Sequence, residues 1–368
     1  MKLMVTEPLL PDLSDFDKYL QRIWTNKILT NGGPLHQELE RELACLLDAK
    51  HISLFANATL ALAVAQQALG LTGEVITTPY SFVGTAHTLV WNNLTPVFID
   101  IEQSGFNMDA KKIKAAITEK TSAIMPVHCY GMPCNVAEIQ EIADNYGLKV
   151  IYDAAHAFCV RNNGEMLTNY GDMSILSFHA TKVFNTFEGG AVICNDLRLK
   201  QQLDSLKNFG IYDETTVTAI GINGKMSELH AAVGLAQLKN IKNAIALRKS
   251  IYELYAQLLS DVQGVTLIAP PASLEWNYAY LPILIDNSSG MLRNRLYERL
   301  KTENIYARRY FYPLITSHQI YSHYKRPSLK LENAANRADE VLCLPIYPSL
   351  KECDVKSVCR IVKDELAG

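Results

Sequence analysis

The sequence predicts an α/β protein built on a mostly parallel, seven-stranded sheet with helices on both faces. Between residues 51 and 194, short apolar runs alternate with amphipathic helical patterns. Such alternation is typical of parallel sheets whose two faces are covered by helices. At 368 residues the chain exceeds one ordinary core, so a second, smaller domain is also expected.

Seven apolar, β-rich segments are predicted as the strands of this sheet: residues 51–55, 74–78, 96–99, 122–127, 149–153, 173–178 and 191–194. Three amphipathic segments between them, residues 59–69, 109–119 and 136–146, are predicted as helices.

Beyond the sheet, residues 226–256 carry a long helical pattern with little Gly or Pro, which predicts a connecting helix. The rest predicts a small α+β domain, with a strand at 278–285, a helix at 291–303 and a last helix after Leu350. We therefore divide the chain into a large domain, residues 1–240, and a small domain, residues 241–368.

Composition excludes several classes of protein. A net charge of -3 provides no basic field for nucleic acid or for an anionic membrane surface. No run of apolar residues is long enough to span a bilayer, and the N-terminus lacks the apolar core of a signal peptide. Eight cysteines in apolar contexts predict reduced, buried thiols in the cytoplasm. Cys129, Cys134 and His128 lie close in sequence but lack a second ligand pair, so no metal site is predicted.

Lys182 is the strongest candidate for a catalytic residue. It follows the predicted strand 173–178, where a lysine is poorly solvated. Desolvation disfavours the ammonium and lowers its pKa, which leaves a nucleophilic amine able to form a Schiff base. The alternative is a lysine that simply reaches solvent beside the strand.

Asp153 closes the predicted strand 149–153 and needs a partner, because an unpaired buried charge is costly. It either caps a helix beginning at Ala154 or pairs with a cationic ring nitrogen. In parallel sheets, ligands bind at the carboxyl ends of strands, where Asp153, Ser177 and Lys182 all lie. A lysine that holds the aldehyde and an aspartate that keeps the pyridine nitrogen protonated are what a pyridoxal phosphate enzyme needs.

Two further segments offer contacts for that cofactor. Asn57 lies between a strand and a helix and is the candidate cap of that helix. The first N–H groups of the helix and the Thr59 hydroxyl would face an anion, and Ser177 could add a hydroxyl. The alternative is an ordinary capped helix. Residues 78–82 offer aromatic rings for stacking, or for core packing. His156 and His179 could contact cofactor or substrate, or could be ordinary core histidines.

Nine motifs together carry a resemblance to a known family, and they span residues 30–34, 57–59, 78–83, 126–131, 153–157, 177–182, 188–191, 223–228 and 344–348. They resemble those of the DegT/DnrJ/StrS family of pyridoxal phosphate-dependent nucleotide-sugar aminotransferases, which have the aspartate aminotransferase (type I) fold. The resemblance covers nearly the whole chain.

By position, the resemblance implies that Lys182 holds the cofactor as a Schiff base and carries the proton between cofactor and sugar. It implies that Asp153 pairs with the pyridine nitrogen, that Phe82 stacks on the ring and that His156 lies near the ring substituents. The phosphate would be held by the remaining implied ligands, which are Ala58, Thr59 and Ser177.

The resemblance also implies a homodimer with shared active sites, because Asn223 would reach the phosphate bound by the neighbouring subunit. Tyr130, His179 and Glu188 would lie near the sugar.

The chain departs from the family pattern at three positions. Ala58 stands where Gly or Ser is usual, which keeps the backbone donor but loses any hydroxyl. Lys225 replaces a common arginine, which puts a bidentate contact there in doubt. Ile315 stands where a histidine often follows the Tyr-Pro-Leu motif, so a histidine contact is unsupported. Lys182 itself argues against the dehydratase branch, which carries histidine there.

The resemblance implies transamination of a nucleotide-linked keto-sugar, with L-glutamate as donor and 2-oxoglutarate as co-product. Residues 179–186 look most like enzymes that convert dTDP-4-keto-6-deoxy-D-glucose into dTDP-4-amino-4,6-dideoxy-D-glucose for surface polysaccharide such as the O-antigen of lipopolysaccharide. A C3 transaminase of a dTDP-3-keto-6-deoxyhexose, or a UDP-4-keto-sugar transaminase, is the main alternative. From another class, a catalytically inactive cofactor-binding regulatory protein stays open, whereas a Rossmann-type epimerase or dehydrogenase lacks its Gly-rich turn.

Overall fold

The large sheet has the predicted number of strands and the predicted, mostly parallel arrangement. The computed structural model describes residues 2–286 and 291–366. The seven strands are β1 His51–Phe55, β2 Glu74–Thr77, β3 Thr95–Phe98, β4 Thr121–Ile124, β5 Lys149–Asp153, β6 Met173–Ser177 and β7 Gly190–Cys194. Their order across the sheet is β1-β7-β6-β5-β4-β2-β3. Strand β7 runs antiparallel to both of its neighbours, and the other pairings are parallel.

Strand pairing explains why candidate site residues converge on one edge of the sheet. Strands β5 and β6 are parallel neighbours, with Asp153 opposite Ile175, so both strands end at the same edge. Strand β7 starts where β6 ends, since Gly190 pairs with Ser177 on one side and with Phe55 on the other. The start of β7 therefore lies between the ends of β1 and β6.

Helices cover both faces of the sheet and build the C-terminal region. Their bounds are Leu13–Asn26, Pro34–Leu46, Ala58–Ala68, Val83–Trp91, Val136–Tyr146, Leu197–Leu206, Glu228–Leu238, Ile241–Leu259, Met291–Thr302, Glu332–Glu340 and Glu352–Leu366. The predicted cap of the third helix is confirmed, because the Asn57 side chain accepts a hydrogen bond from Leu60 N at 2.9 Å. The helix predicted at 136–146 has those bounds in the structure.

Two predicted helices were wrong in extent. The segment 109–119 forms only two 3₁₀ turns, Ala110–Lys112 and Lys114–Ala116, which are common in short connectors. The long helix predicted at 226–256 is broken in two after Leu238. Asn240 leaves helical geometry there, with φ -119° and ψ 5°, and the second helix starts at Ile241. Asparagine has a lower helix propensity than alanine or leucine, so it stabilises a helix interior poorly.

The C-terminal region contains a three-stranded antiparallel sheet with Leu281–Ile285 between Val265–Leu267 and Val341–Leu344. The strand predicted to begin at residue 278 starts later, because Tyr278 has a positive φ of 51° that extended backbone cannot adopt. Shorter two-residue strands are Leu3–Met4, Arg161–Asn162, Glu165–Met166, Leu274–Glu275 and Ile305–Tyr306. The first and last of these pair, which attaches the N-terminus to the C-terminal region. The domain boundary at residue 240 stays a prediction.

No helix among the described residues is long and apolar enough to cross a membrane. All eight cysteines are free thiols. Five are buried as predicted, but Cys45 and Cys353 are exposed on the helices Pro34–Leu46 and Glu352–Leu366. The prediction of burial was wrong for Cys45 and Cys353 because their side chains lie on the outer faces of amphipathic helices.

Candidate active site

Lys182 lies in the turn that follows β6, where its backbone N–H donates to His179 O at 2.9 Å. Its side chain is half-buried, and Nζ donates a hydrogen bond to Tyr280 Oη at 3.0 Å. Burial lowers the pKa of Lys182, although Tyr310 and Asp153 oppose the shift. The residue therefore has the weakened ammonium that a nucleophilic lysine requires.

Asp153 ends β5 and is 7% exposed. One carboxylate oxygen accepts a hydrogen bond from Thr85 Oγ1 at 2.8 Å, and the other accepts one from Ala155 N at 3.2 Å. The residues after it form turns, so the alternative of a helix cap is wrong. Burial raises the pKa of Asp153, while the Thr85 bond lowers it.

The surroundings of Asp153 fit a cationic ring nitrogen. No ion pair to this carboxylate occurs within residues 2–286 and 291–366, although buried carboxylates usually have one. A protonated pyridine nitrogen would supply both the missing charge and a hydrogen-bond donor.

His156 is a neutral histidine beside this carboxylate and lysine. Its Nδ1 accepts a hydrogen bond from Tyr130 N at 3.0 Å, and burial lowers its pKa. Because Nδ1 is an acceptor in a neutral ring, Nε2 carries the proton and is a donor. The His156 ring centroid lies 4.5 Å from that of Tyr280, so His156 lies on the same side of the site as the tyrosine that contacts Lys182.

The helix that starts at Ala58 supplies a site for a phosphate. Its first N–H groups, including those of Ala58 and Thr59, have no acceptor within the helix. Gly190 lies so close that a Cβ there would be 2.6 Å from Ala58 N. Ser177 pairs with Gly190 in the sheet, and its hydroxyl oxygen accepts a hydrogen bond from His179 N at 3.4 Å, which leaves the hydroxyl proton for another acceptor.

Phe82 is an aromatic side chain left 64% exposed at the start of the helix Val83–Trp91. A Cβ at Gly84 would lie 3.2 Å from the Phe82 ring and 3.9 Å from Thr59 Oγ1, so ring and hydroxyl are neighbours. An exposed ring next to an anion site, three residues before the Thr85 that binds Asp153, fits stacking on a flat cofactor. Together with the Asp153 carboxylate, the Lys182 amine and the helix N-terminus, Phe82 completes a group of residues that fits pyridoxal phosphate.

The predicted sugar contacts are placed differently from one another. His179 Nε2 lies 3.7 Å from Glu188 Oε1, and both side chains are exposed beside the Lys182 turn. Tyr130 is fully buried, and its hydroxyl donates to Tyr310 O at 2.7 Å, so it supports the wall instead of offering a free hydroxyl. Among the described residues, no hydrogen bond joins Asn223 to the other predicted ligands; it is exposed, and its backbone pairs with Asn208.

Sequence reasoning missed Tyr280 and Thr85, which contact Lys182 and Asp153. Two hydrogen bonds hold the segment 276–280, which carries Tyr280, against the site. Trp276 Nε1 donates to Tyr130 O at 2.8 Å, and Asn277 Nδ2 donates to His156 O at 2.9 Å. A cluster of aromatic residues and Asn at 276–280 was the available signal, but it gives no hint of its distant partner.

The sheet topology and these side chains define a pyridoxal phosphate-dependent aminotransferase of the aspartate aminotransferase fold class. More narrowly, the chain belongs to the DegT/DnrJ/EryC1/StrS aminotransferase family, whose model matches residues 12–363. Pyridoxal phosphate is accordingly its cofactor.

Relatives over nearly the full length support this assignment. The chain is 54% identical over 362 residues to the dTDP-4-amino-4,6-dideoxy-D-glucose transaminase of Escherichia coli, covering 97% of each chain. It is 48% identical to the enzyme of the same name from Shigella dysenteriae, covering 98% of each. The crystal structure of DesI in the presence of its TDP-sugar product superposes with a TM-score of 0.94 at 35% identity, covering 98% of this chain and 92% of that chain.

Proposed function

We propose that this aminotransferase moves the amino group of L-glutamate to C4 of dTDP-4-keto-6-deoxy-D-glucose, giving dTDP-4-amino-4,6-dideoxy-D-glucose and 2-oxoglutarate. The observation that carries the reaction type is the convergence of the Lys182 amine and the unpaired Asp153 carboxylate at neighbouring strand ends. The choice of sugar rests on the 54% identity to a transaminase of that name.

Lys182 is the proton carrier in this proposal. Bound pyridoxal phosphate supplies an electrophilic carbon for amines and a conjugated ring that accepts electrons. Because burial lowers the pKa of Lys182, its amine can take a proton from the carbon that loses the amino group and deliver it to the carbon that gains it. Tyr280 Oη, 3.0 Å from Nζ, holds the free amine in place between these transfers.

Asp153 and His156 would set the electronic state of the ring. The buried carboxylate favours a protonated ring nitrogen, since no cation among the described residues forms an ion pair with it. Neutral His156 presents an N–H donor near the same ring. Phe82 would hold the ring against this carboxylate, and the Ala58–Thr59 N–H groups with Ser177 would hold the phosphate.

The homodimer with shared sites belongs to the same proposal. Six residues of the segment 209–222 expose apolar side chains, namely Phe209, Ile211, Tyr212, Val217, Ile220 and Ile222, of which Ile220 is 99% exposed. Such a patch supports burial against a second subunit. Asn223 follows this segment directly, so the same contact would carry it toward the neighbouring phosphate site.

The dimer is tested by Ile220→Asp, which places a charge in the apolar segment. We expect monomers in analytical ultracentrifugation and loss of turnover. Leu197→Asp is the matched control, since Leu197 is also exposed and apolar but lies outside this segment, at the start of the helix Leu197–Leu206. A dimeric, fully active Ile220→Asp variant would contradict the shared site.

The reaction is tested by the spectrum and by product analysis. The cofactor-loaded protein should be yellow and lose that absorbance when glutamate is added; an unchanged spectrum would sink transamination and favour the regulatory alternative. Incubation with glutamate and dTDP-4-keto, dTDP-3-keto and UDP-4-keto sugars, followed by NMR, locates the new amine. An amine at C3, or on UDP-sugar alone, would replace the proposed substrate.

The product also indicates which reactions consume it. A sugar linked to a nucleoside diphosphate is activated for transfer, so glycosyl transfer into a surface polysaccharide such as O-antigen, from the cytoplasm, completes the proposal.

A further inference from the structure

We propose that Arg308 binds an anionic group of a substrate, a carboxylate or a diphosphate, on the wall of the site formed by Tyr280 and Tyr310. The inference rests on the proposed function and deepens it, because it assigns a residue that recognises the charged part of a substrate.

Arg308 is connected to the catalytic lysine through two aromatic rings. Its guanidinium carbon lies 5.5 Å from the ring centroid of Tyr310. The Tyr310 ring lies edge-to-face with the Tyr280 ring, with centroids 5.3 Å apart. Tyr280 Oη in turn lies 3.0 Å from Lys182 Nζ. A ligand held by Lys182 therefore needs to extend past only two side chains to reach the guanidinium.

The backbone of Arg308 is fixed, which suits a residue that orients a ligand. Its N–H donates to Cys343 O at 3.0 Å, and Cys343 N donates to Arg308 O at 2.7 Å. Cys343 belongs to the buried strand Val341–Leu344. The side chain therefore projects from a rigid element, and only its own rotamers remain to be set by the ligand.

The charge of Arg308 is unpaired in the part of the chain that the structure describes. Among residues 2–286 and 291–366, no carboxylate forms an ion pair with its exposed guanidinium. Other arginines of the region do have partners: Arg295 lies 2.9 Å from Glu365, and Arg299 lies 3.0 Å from Glu303. An arginine stacked on an aromatic face and free of carboxylates keeps its planar donors available for a ligand.

The field of Arg308 also reaches into the site. Burial raises the pKa of both Tyr280 and Tyr310, and the charge of Arg308 opposes that rise at each. These two tyrosines are neutral, so this wall has an excess of positive charge. L-Glutamate brings two carboxylates and the nucleotide-sugar brings a diphosphate, and a guanidinium pairs with either in a bidentate manner.

The test compares Arg308→Ala and Arg308→Lys with the control Arg299→Ala, in the cofactor-loaded protein. Calorimetry measures binding of maleate, a dicarboxylate with no amino group, and of thymidine diphosphate. We expect Arg308→Ala to weaken at least one of them about 10- to 100-fold, with partial recovery in Arg308→Lys. The control should bind both normally, and thermal unfolding should match among the variants.

The two arms identify the source of the anion. Weaker maleate binding, together with a slower loss of colour with glutamate, assigns the carboxylate of the amino donor. Weaker thymidine diphosphate binding assigns the diphosphate of the nucleotide-sugar. Normal binding of both probes would overturn the proposal. Because binding needs no amino transfer, a wild-type protein that aminates no keto-sugar would contradict the proposed function and still leave the role of Arg308 measurable.

Discussion

Replacing Gly190 with alanine is expected to weaken cofactor binding by displacing the start of the helix Ala58–Ala68. The added Cβ would lie 2.6 Å from Ala58 N, 2.7 Å from Asn57 C and 2.8 Å from Ala58 Cα. Ordinary contact begins at 3.4 Å, so the helix start must retreat by about 0.6 to 0.8 Å. These atoms are backbone, which cannot turn aside as a flexible side chain would.

The size of the effect follows from two contributions. Overpacking a close contact costs about 1–3 kcal/mol of folding free energy. A hydrogen bond to a charged group is worth about 1.5–3 kcal/mol, so one N–H moved out of reach of the phosphate lowers affinity about 10- to 100-fold. Both losses are expected in Gly190→Ala because the displaced atoms are the proposed phosphate donors.

The assay is an absorbance titration of pyridoxal phosphate, with urea unfolding of the cofactor-free protein measured in parallel. Gly70→Ala is the matched control at the other end of the same helix. Gly70 has φ +61° and no atom within 4 Å of its Cβ position, so alanine costs about 1–2 kcal/mol through backbone strain alone. Equal cofactor affinities in the two variants would refute the placement of the phosphate at Ala58 and Thr59.

Three further substitutions probe the centre of the site. Lys182→Met should abolish turnover and raise the free energy of unfolding of the cofactor-free protein at neutral pH, since burial lowers the pKa of Lys182 in the folded state. This gain in stability should vanish above the pKa of about 10.4 that a lysine has in the unfolded chain, because the amine is then neutral in the folded and the unfolded state. Urea unfolding at neutral pH and above about pH 10.4 checks this. Asp153→Asn should slow single turnover with glutamate about 100-fold or more. A mild effect would mean that the carboxylate only accepts hydrogen bonds from Thr85 and Ala155. Tyr280→Phe should slow turnover about tenfold and lower the pKa of Lys182 further. The pKa is read from the pH dependence of amine labelling in the cofactor-free protein, and an unchanged pH dependence would count against the 3.0 Å contact.

Local patterns predicted much of this fold correctly. The apolar runs of the large sheet and the helix Val136–Tyr146 were predictable because burial and periodicity are properties of a few adjacent residues. The Asn57 cap was predictable for the same reason, since its acceptor bond reaches only to Leu60. Lys182 and Asp153 could be nominated because strand ends in a parallel sheet meet at one edge.

What the sequence could not supply was set by distant contacts or by a single backbone angle. Tyr280 meets Lys182 across 98 positions, and no local pattern encodes that meeting. Thr85 meets Asp153 across 68 positions. The break at Asn240 and the late strand start after Tyr278 each depend on one residue leaving regular geometry, which a periodic apolar pattern conceals.

The reversed direction of β7 has a consequence for how this enzyme could be altered. Strands β6 and β7 form a hairpin, so the connection from Phe178 to Gly189 leaves and re-enters the sheet at the same edge, where Phe178 N donates to Gly189 O at 2.9 Å. That one loop carries Lys182, His179 and Glu188. The exposed residues His179, Phe187 and Glu188 could therefore be exchanged to reshape the mouth of the site. Residues 183–186 are buried and anchor the loop in the core, and the opposite edge of the sheet is left untouched.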